Sequence, residues 1–255
     1  MSIAMPPQKA PVLGLPVHLS DDYLSWVSSC LLRGEGMHVV TLNAEMTMQA
    51  QQNPDLASVI NCADLVIPDG SGITFYFWLY GKQVNRCPGI ELAEALLKAS
   101  VQADRPWSVF FYGGKPDVAE KAAQHWRSML PGIKIVGVEH GYLDTNDRDR
   151  LQATLKTLQP QIILVGLGVP RQEFWIAENR HLCPNSIWIG VGGSFDIWAG
   201  QKSRAPLWLR NNHLEWIYRL YQEPWRWRRM LALPKFAVRS LIYRLTQRQP
   251  TKERV

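Results

Sequence analysis

Short runs of apolar, β-branched and aromatic residues alternate along the chain with longer segments whose apolar residues recur at helical spacing. The runs predict strands over residues 12–19, 38–42, 65–67, 107–112, 133–138, 162–165 and 186–191. The segments between them predict helices over 21–33, 43–52, 55–63, 73–80, 90–101, 116–130, 146–158 and 171–180. Repetition of strand, glycine-containing turn and helix is typical of a parallel sheet. The pattern therefore predicts an α/β fold, a Rossmann-like parallel sheet with helices on both faces.

Composition divides the chain into three parts. Residues 1–11 are rich in proline and are expected to be a mobile N-terminus. Residues 12–203 carry the alternating pattern and form the α/β domain, and residues 204–255 form a helical C-terminal appendage, with helices over 205–222 and from Pro234 to about residue 247. The whole chain has a net charge of +6, but residues 201–255 contain 13 Lys and Arg against 3 Asp and Glu. This local surplus indicates an anionic partner for the appendage.

The last predicted helix is amphipathic and bordered by cations. One face carries Ala237, Val238, Leu241, Ile242 and Leu245. Its basic borders are Lys235, Arg239, Arg244 and Arg248, and the appendage also holds Trp208, Trp216, Trp225 and Trp227. An apolar stripe between basic borders, with tryptophan nearby, favours contact with an anionic membrane surface. Docking of the appendage on its own domain, or on a second subunit of a homo-oligomer, is the alternative.

The compartment is predicted from three weak signals. The chain has no apolar run of about 18 residues that would span a bilayer, and its first residues lack an apolar signal-peptide core. Its four cysteines are scattered, without a Cys-x-x-Cys pair, which fits reduced thiols. A cytoplasmic location follows.

The most informative turn is at residues 65–72, Leu-Val-Ile-Pro-Asp-Gly-Ser-Gly. Asp69 follows a short buried strand, and Gly70 and Gly72 free the backbone for positive φ or for close approach of a ligand. Thr41 and Asn43 end the preceding strand in the same way. If the two strands are parallel neighbours, all three polar side chains reach the edge where α/β sheets bind ligands. An ordinary Asp-Gly turn is the alternative.

Several familiar chemistries lack their motifs. Gly166-x-Gly168 has Arg171 in place of a third glycine, so a dinucleotide enzyme is not supported. The chain contains neither a P-loop nor a Gly-x-Ser-x-Gly nucleophile elbow. No metal site is expected, because Asp147-Arg-Asp149 falls in an early helical turn, where the helix dipole explains its charge.

What remains is a rim of glycines and polar side chains at the strand ends. Glycine turns and helix N-termini suit a diphosphate, Arg86 suits a phosphate or carboxylate, and a carboxylate suits proton abstraction. The rim comprises Thr41, Asn43, Asp69, Gly70, Gly72, Arg86, Gly113, Gly114, Gln172, Gly193, Ser194, Asp196 and Arg204. Such a set favours group transfer from a phosphate-activated donor without a cofactor.

Nine motifs occur in an order and spacing that resemble one bacterial family. They are Thr41-Leu-Asn43, Pro68-Asp-Gly-Ser-Gly72, Arg86-Cys-Pro-Gly-Ile-Glu91, Phe111-Tyr-Gly-Gly114, His140-Gly-Tyr142, Gly166-Leu-Gly-Val-Pro-Arg-Gln-Glu173, Val191-Gly-Gly-Ser-Phe-Asp196, Arg204-Ala-Pro206 and Leu214-Glu-Trp-Ile-Tyr-Arg-Leu220. Together they resemble the WecG/TagA/CpsF glycosyltransferases over residues 12–230.

The resemblance implies a function. Such enzymes move a sugar, often of the N-acetylmannosamine type, from a UDP-sugar to a polyprenyl-diphosphate-linked sugar in cell-envelope polysaccharide synthesis, inverting the anomeric centre without a metal. It implies that Asp69 is the general base with Thr41 beside it, and that Arg219, Arg226 and Arg229 of the appendage close over the nucleotide diphosphate at the inner face of the cell membrane. Gln172 and Asp196 are expected to contact the nucleotide.

The chain also departs from the family pattern. Leu42 stands where many members have proline, and Gly89-Ile-Glu91 replaces Gly-Ser-Asp on the expected acceptor side. The substrate is therefore not copied from any relative.

Two other functions are alternatives. A nucleic-acid-binding protein would use the basic, tryptophan-rich appendage, but it leaves the glycine-lined rim unexplained, and no nucleic acid is expected. A nucleotide-sugar sensor without turnover would use the same fold.

Overall fold

The computed structural model describes residues 5–246. Two antiparallel strands, β1 (Gln8–Val12) and β2 (Leu15–Leu19), precede a sheet of six parallel strands. The six are β3 (Met37–Leu42), β4 (Leu65–Pro68), β5 (Ser108–Gly113), β6 (Lys134–Glu139), β7 (Ile162–Gly166) and β8 (Ile187–Gly190). They lie in the order β4-β3-β8-β7-β5-β6, and every pair is parallel. The predicted Rossmann-like α/β fold is confirmed.

Helices cover both faces of this sheet. They are α1 (Tyr23–Leu32), α2 (Ala44–Ala50), α3 (Pro54–Asn61), α4 (Ser71–Leu79), α5 (Gly89–Gln102), α6 (Val118–Met129), α7 (Thr145–Leu158), α8 (Arg171–Asn179), α9 (Ser194–Trp198), α10 (Leu207–Asn211), α11 (Glu215–Gln222), α12 (Trp227–Met230) and α13 (Ala232–Thr246). Short 3-10 turns at Arg180–Leu182 and Pro224–Arg226 complete the helical elements of the described residues.

Alternation along each strand sends neighbouring side chains to opposite faces. Val39 belongs to the core cluster that includes residues of α1, α5, α6 and α9, whereas Val40 belongs to the cluster that includes residues of α2, α4 and the hairpin. Trp188 lies on the second face, under α7 and α8. Helices cover both faces of the sheet, and this explains why the strands are continuous apolar runs in the sequence rather than alternating ones.

The hairpin β1–β2 corrects two predictions. Residues 12–19 are not one strand, because Leu13 and Gly14 turn the chain back with positive φ angles of 49° and 86°. Residues 8–11, which the sequence assigned to a mobile terminus, pair with β2. The hairpin protects the sheet edge at β4, where the Val66 amide donates to His18 Nδ1 at 2.9 Å.

The segment from Arg204 onward, called the appendage, contains α10 to α13, and the single helix expected over 205–222 is two. The break lies between α10 and α11, where His213 has a φ of 62°. Residues 247–255, including the Arg248 of the predicted basic border, lie outside the described residues.

Helix α13 has one buried and one exposed apolar face. Phe236 and Ser240 are buried against α2 and α4, and the Phe236 ring lies 6.4 Å from the Tyr76 ring. Val238, Leu241, Ile242 and Leu245 are exposed. The helix therefore docks on its own domain and still presents most of the predicted apolar stripe. Among residues 5–246, no helix is long and apolar enough to cross a membrane.

The two faces of α13 should respond differently to truncation of a side chain. We expect Phe236→Ala to lower the free energy of unfolding by about 3 kcal/mol, because it leaves a cavity between α13 and α4. Val238→Ala, on the exposed face, should change it by less than about 0.5 kcal/mol. Urea unfolding measures both, and equal effects would contradict the docking of α13.

Candidate active site

Backbone geometry places Asp69 at the carboxyl end of the edge strand β4. Its amide donates to the Leu42 carbonyl at 2.8 Å, which extends the β3–β4 pairing by one residue. Gly70 then turns the chain with a φ of 90°, a conformation that disfavours other residues. Gly72 has an ordinary φ, but a Cβ there would lie 2.7 Å from the Ala44 Cβ. Only Gly70 needs positive φ, while Gly72 allows α4 to approach α2.

The Asp69 carboxyl is enclosed by protein and keeps a surface on a cavity. Burial raises its pKa from the usual 3.8 to about 6. The positive charges of Arg219 and Arg86 act against this rise, and the negative charges of Glu215 and Glu91 add to it. A carboxyl with a pKa near 6 is ionised at neutral pH and is a stronger base than an ordinary aspartate.

Thr41 and Asn43 line the same cavity as Asp69, as the parallel pairing of β3 and β4 predicted. The Thr41 hydroxyl donates to the Gly190 carbonyl at 3.2 Å. Its methyl group faces Gly89, where a Cβ would lie 2.5 Å away. Asn43 caps α2, because its Oδ1 accepts from the Met46 amide at 2.9 Å.

This polar cavity, of about 150 Å³, lies at the carboxyl ends of four adjacent strands, β4, β3, β8 and β7. On the strand side it is lined by Thr41, Asn43, Asp69, Gly168, Gln172, Val191, Gly192 and Gly193. On the other side it is lined by Lys202, Arg204, Glu215, Arg219, Arg226 and Arg229. The appendage therefore roofs the edge at which α/β sheets bind ligands.

The three arginines predicted to close the site all reach the polar cavity. Arg226 Nε lies 2.9 Å from Glu223 Oε2, and Arg229 Nε donates to Glu45 Oε1 at 2.5 Å. Arg219 forms no ion pair with any of residues 5–246. It is the cation with the largest effect on the Asp69 pKa, and its guanidinium remains available to an anionic ligand.

Gln172 lines the polar cavity but is occupied by the fold. Its side chain is 1% exposed, and its Oε1 accepts from the amides of Gly168 and Gly192, both at 3.1 Å. Its Nε2 donates to Glu173, whose other oxygen lies 2.8 Å from His38 Nε2. This buried chain ties the turns after β7 and β8 together. Contact of Gln172 with a nucleotide stays a prediction.

Other predicted rim residues lie elsewhere or at the margin. Gly113 ends β5 and Gly114 follows it, and neither lines the cavities around Asp69. A Cβ on Gly113 would lie 2.5 Å from the Gly166 carbonyl, so close strand packing already requires this glycine. Asp196 does not line the polar cavity either, and its carboxylate is paired at 2.6 Å with Lys202, which does.

The model of the glycosyl transferase WecG/TagA/CpsF family matches residues 10–250. The chain belongs to this family. It is 36% identical over 234 residues, 91% of this chain and 87% of the relative, to an N-acetylglucosaminyldiphosphoundecaprenol N-acetyl-beta-D-mannosaminyltransferase of Bacillus spizizenii. It is also 36% identical over 207 residues, 81% and 79% of the two chains, to the protein so named in Bacillus subtilis.

Membership confirms the predicted resemblance and the prediction of a glycosyltransferase of cell-envelope polysaccharide synthesis. Six residues of the predicted rim line the polar cavity, together with Arg219, Arg226 and Arg229: they are Thr41, Asn43, Asp69, Gln172, Gly193 and Arg204. Gly70, Gly72 and Arg86 line a smaller cavity that also borders Asp69. Residues 5–246 contain no cluster of three His, Cys, Asp or Glu side chains suited to a metal ion.

Ion pairs between the α/β domain and the appendage escaped the sequence analysis. Glu45 pairs with Arg229, and Arg86 lies 3.5 Å from Glu215. Glu91 pairs with both Arg204 and Arg210. The one available signal was Gly89-Ile-Glu91, which departs from the pattern that the resemblance led us to expect.

The raised pKa of Asp69 has a consequence for stability. An ionised carboxylate is less favourable in the folded than in the unfolded chain, so folding pays a penalty that develops between pH 4 and 6 and is complete above it. We expect Asp69→Asn to raise the free energy of unfolding by about 1 to 2 kcal/mol at pH 7.5, allowing for partial solvation. Urea unfolding should show the gain shrinking as pH falls through 6 towards 4.

The matched control is Asp104→Asn, because Asp104 is an exposed loop aspartate. Its effect should be small and should not follow the same pH dependence. An effect of Asp69→Asn on the free energy of unfolding that is the same at pH 7.5 and at pH 4 would contradict the raised pKa of Asp69.

Proposed function

We propose that the protein is an inverting glycosyltransferase that needs no metal and moves a sugar of the N-acetylmannosamine type, or a related hexose, from a UDP-sugar to a polyprenyl-diphosphate-linked sugar. The observation that carries the proposal is the setting of Asp69, a carboxyl with a pKa near 6 that borders two cavities under a roof of arginines. The two relatives are named as transferases acting on a diphosphoundecaprenol-linked sugar, which supports the choice of acceptor.

Asp69 acts as general base in the proposed reaction. It takes the proton of the acceptor hydroxyl while the hydroxyl oxygen attacks the anomeric carbon of the donor. The bond from that carbon to the diphosphate breaks, and its electrons leave with UDP. Attack from the face opposite the leaving group inverts the anomeric centre in a single displacement.

Negative charge grows on the departing diphosphate, and the appendage supplies cations to meet it. Arg219 is available as it stands, while Arg226 and Arg229 would exchange or share their carboxylate partners Glu223 and Glu45. The glycine turns contribute less than the sequence suggested, since the Gly168 and Gly192 amides already donate to Gln172. Arginines would do the work given to a divalent ion in other sugar transferases.

Asp69→Asn should remove nearly all transfer, with a fall in kcat of about 10²- to 10⁴-fold, because the amide cannot accept the proton. In the wild type, kcat/KM should rise with pH up to about 6 and then level off, since the base must be ionised. Release of UDP from a UDP-sugar with a short-chain lipid-diphosphate acceptor measures both. Asp104→Asn should keep wild-type turnover.

Turnover of Asp69→Asn within a few-fold of wild type would overturn the base assignment. A wild-type profile still rising steeply above pH 7 would point to a different base.

Attachment to the inner face of the cell membrane is part of the proposal. The exposed side chains Val238, Leu241, Ile242 and Leu245 of α13 form an apolar stripe, and Lys235 and Arg239 are exposed on the same helix. An amphipathic helix of this kind binds anionic bilayers through buried apolar area and electrostatic attraction. A lipid-linked acceptor would then be presented at the surface where the enzyme sits.

Leu241→Asp with Leu245→Asp should weaken binding to phosphatidylglycerol vesicles by more than about tenfold, because two apolar side chains no longer enter the bilayer. Co-sedimentation measures the bound fraction. Leu158→Asp, at an exposed leucine of α7, is the control and should bind as wild type does. Unchanged binding of the double variant would exclude α13 as the attachment site.

A further inference from the structure

A large apolar groove lies beside the candidate active site. It runs between α4 with its following loop and the appendage, and its volume of about 1360 Å³ exceeds the roughly 300–1,000 Å³ of an ordinary small-ligand site. Its apolar lining includes Phe75, Trp78, Trp216, Trp227, Leu231 and Pro234. Trp78 is 65% exposed and Trp227 53%. Aromatic side chains left so open to water around one concave surface indicate a ligand site.

The groove connects to Asp69 through a smaller cavity, the junction cavity, of about 110 Å³. The junction cavity shares Arg86, His213 and Trp216 with the groove, and it shares Asp69 and Arg219 with the polar cavity. Asp69 therefore stands between two approaches. The arginine-rich polar cavity leads to it from one side and the apolar groove from the other.

Charge is confined to part of the groove. Lys82, Arg86 and Arg210 line it, and the groove lining contains neither Asp nor Glu. Arg86 is the one of these three that also lines the junction cavity. The ion pairs of Arg86 with Glu215, at 3.5 Å, and of Arg210 with Glu91, at 3.4 Å, are long and leave both cations able to bind an anion.

The groove also continues into the apolar stripe. Leu231 and Pro234 line it, and Val238 and Leu241 lie four and seven residues after Pro234 along α13; all four side chains are exposed. The groove and the stripe therefore share helix α13, and an apolar chain lying along this helix would contact both.

We propose that this groove holds the first isoprene units of the acceptor's polyprenyl chain, with its diphosphate at Arg86 and its sugar in the junction cavity against Asp69. The inference rests on the proposed function, which supplies the acceptor. From Asp69 outward, the lining changes from a carboxylate to a cation and then to aromatic and aliphatic side chains. The acceptor has the same order of groups: a sugar hydroxyl for the carboxylate, a diphosphate for the cation, and a hydrocarbon chain for the apolar lining. Donor and acceptor enter from opposite sides of Asp69.

The first test is equilibrium binding of geranylgeranyl diphosphate to the full chain by calorimetry. Wild type should bind it at least tenfold more tightly than dimethylallyl diphosphate, and more tightly than inorganic pyrophosphate or geranylgeraniol. Trp78→Gln should weaken binding of the long chain about tenfold and leave the short one unchanged. Trp208→Gln is the matched control, because Trp208 is 62% exposed on the appendage and does not line the groove.

Equal binding of the short and long diphosphates would overturn the proposal and leave an anion site only. An equal loss for Trp78→Gln and Trp208→Gln would also overturn it, because it would show adsorption to the protein surface at large.

The second test uses transfer to two diphosphate-linked acceptors that differ only in chain length. Trp78→Gln should raise the KM of the longer acceptor about tenfold, without changing kcat, the KM of the UDP-sugar or turnover of the shorter acceptor. If Trp78→Gln left the KM of the longer acceptor unchanged, the assignment of the groove would be wrong, and the proposed function would not be affected. Tight, chain-dependent binding without transfer from any UDP-sugar would support the groove and refute the proposed function.

Discussion

Opposing electrostatic effects on Asp69 determine what the site can do. Burial disfavours the carboxylate, and nearby guanidinium groups favour it. Burial alone would raise the pKa of the carboxyl further, and full pairing with a cation would lower it and make the group a poor base. Both effects come largely from one source, because the appendage covers the strand ends and also carries Arg219. The position of the appendage thus sets the reactivity of a residue some 150 positions earlier in the chain.

The α/β sheet provides the complementary part of the site. The parallel pairing of β3 with β4 puts Thr41, Asn43 and Asp69 on one edge, and the buried Gln172 holds the turns after β7 and β8 in register with them. These contacts lie within the α/β domain, and Gln172 is buried. Close to Asp69, the appendage is instead held by ion pairs, several of them partly exposed, which anionic substrates can compete for. Asp69 therefore lies between the α/β domain, whose contacts are fixed by the fold, and the appendage, whose ion pairs an anionic substrate can replace.

Much of this architecture follows from local sequence. Apolar runs ending in glycine identify the parallel strands, and Asp69 is recognisable because it follows a strand and precedes Gly70. The β1–β2 hairpin was missed because its turn, Leu13-Gly14, carries only one residue that favours positive φ. The break at His213 was missed although residues 211–213 are Asn-Asn-His, residue types that are enriched at positive φ. The buried state of Gln172 depends on Glu173 and on His38, which is 135 residues away from Glu173 and beyond the reach of periodicity.

Helix α13 meets two structural requirements within fifteen residues. Phe236 must fit the core formed with α2 and α4, whereas Leu241 and Leu245 face outward. A chain cut before α13 would lose its outward stripe and expose that core in the same step. Inactivity of such a truncated protein would therefore say nothing by itself about lipid attachment. Only point changes confined to one side of the helix separate the two contributions.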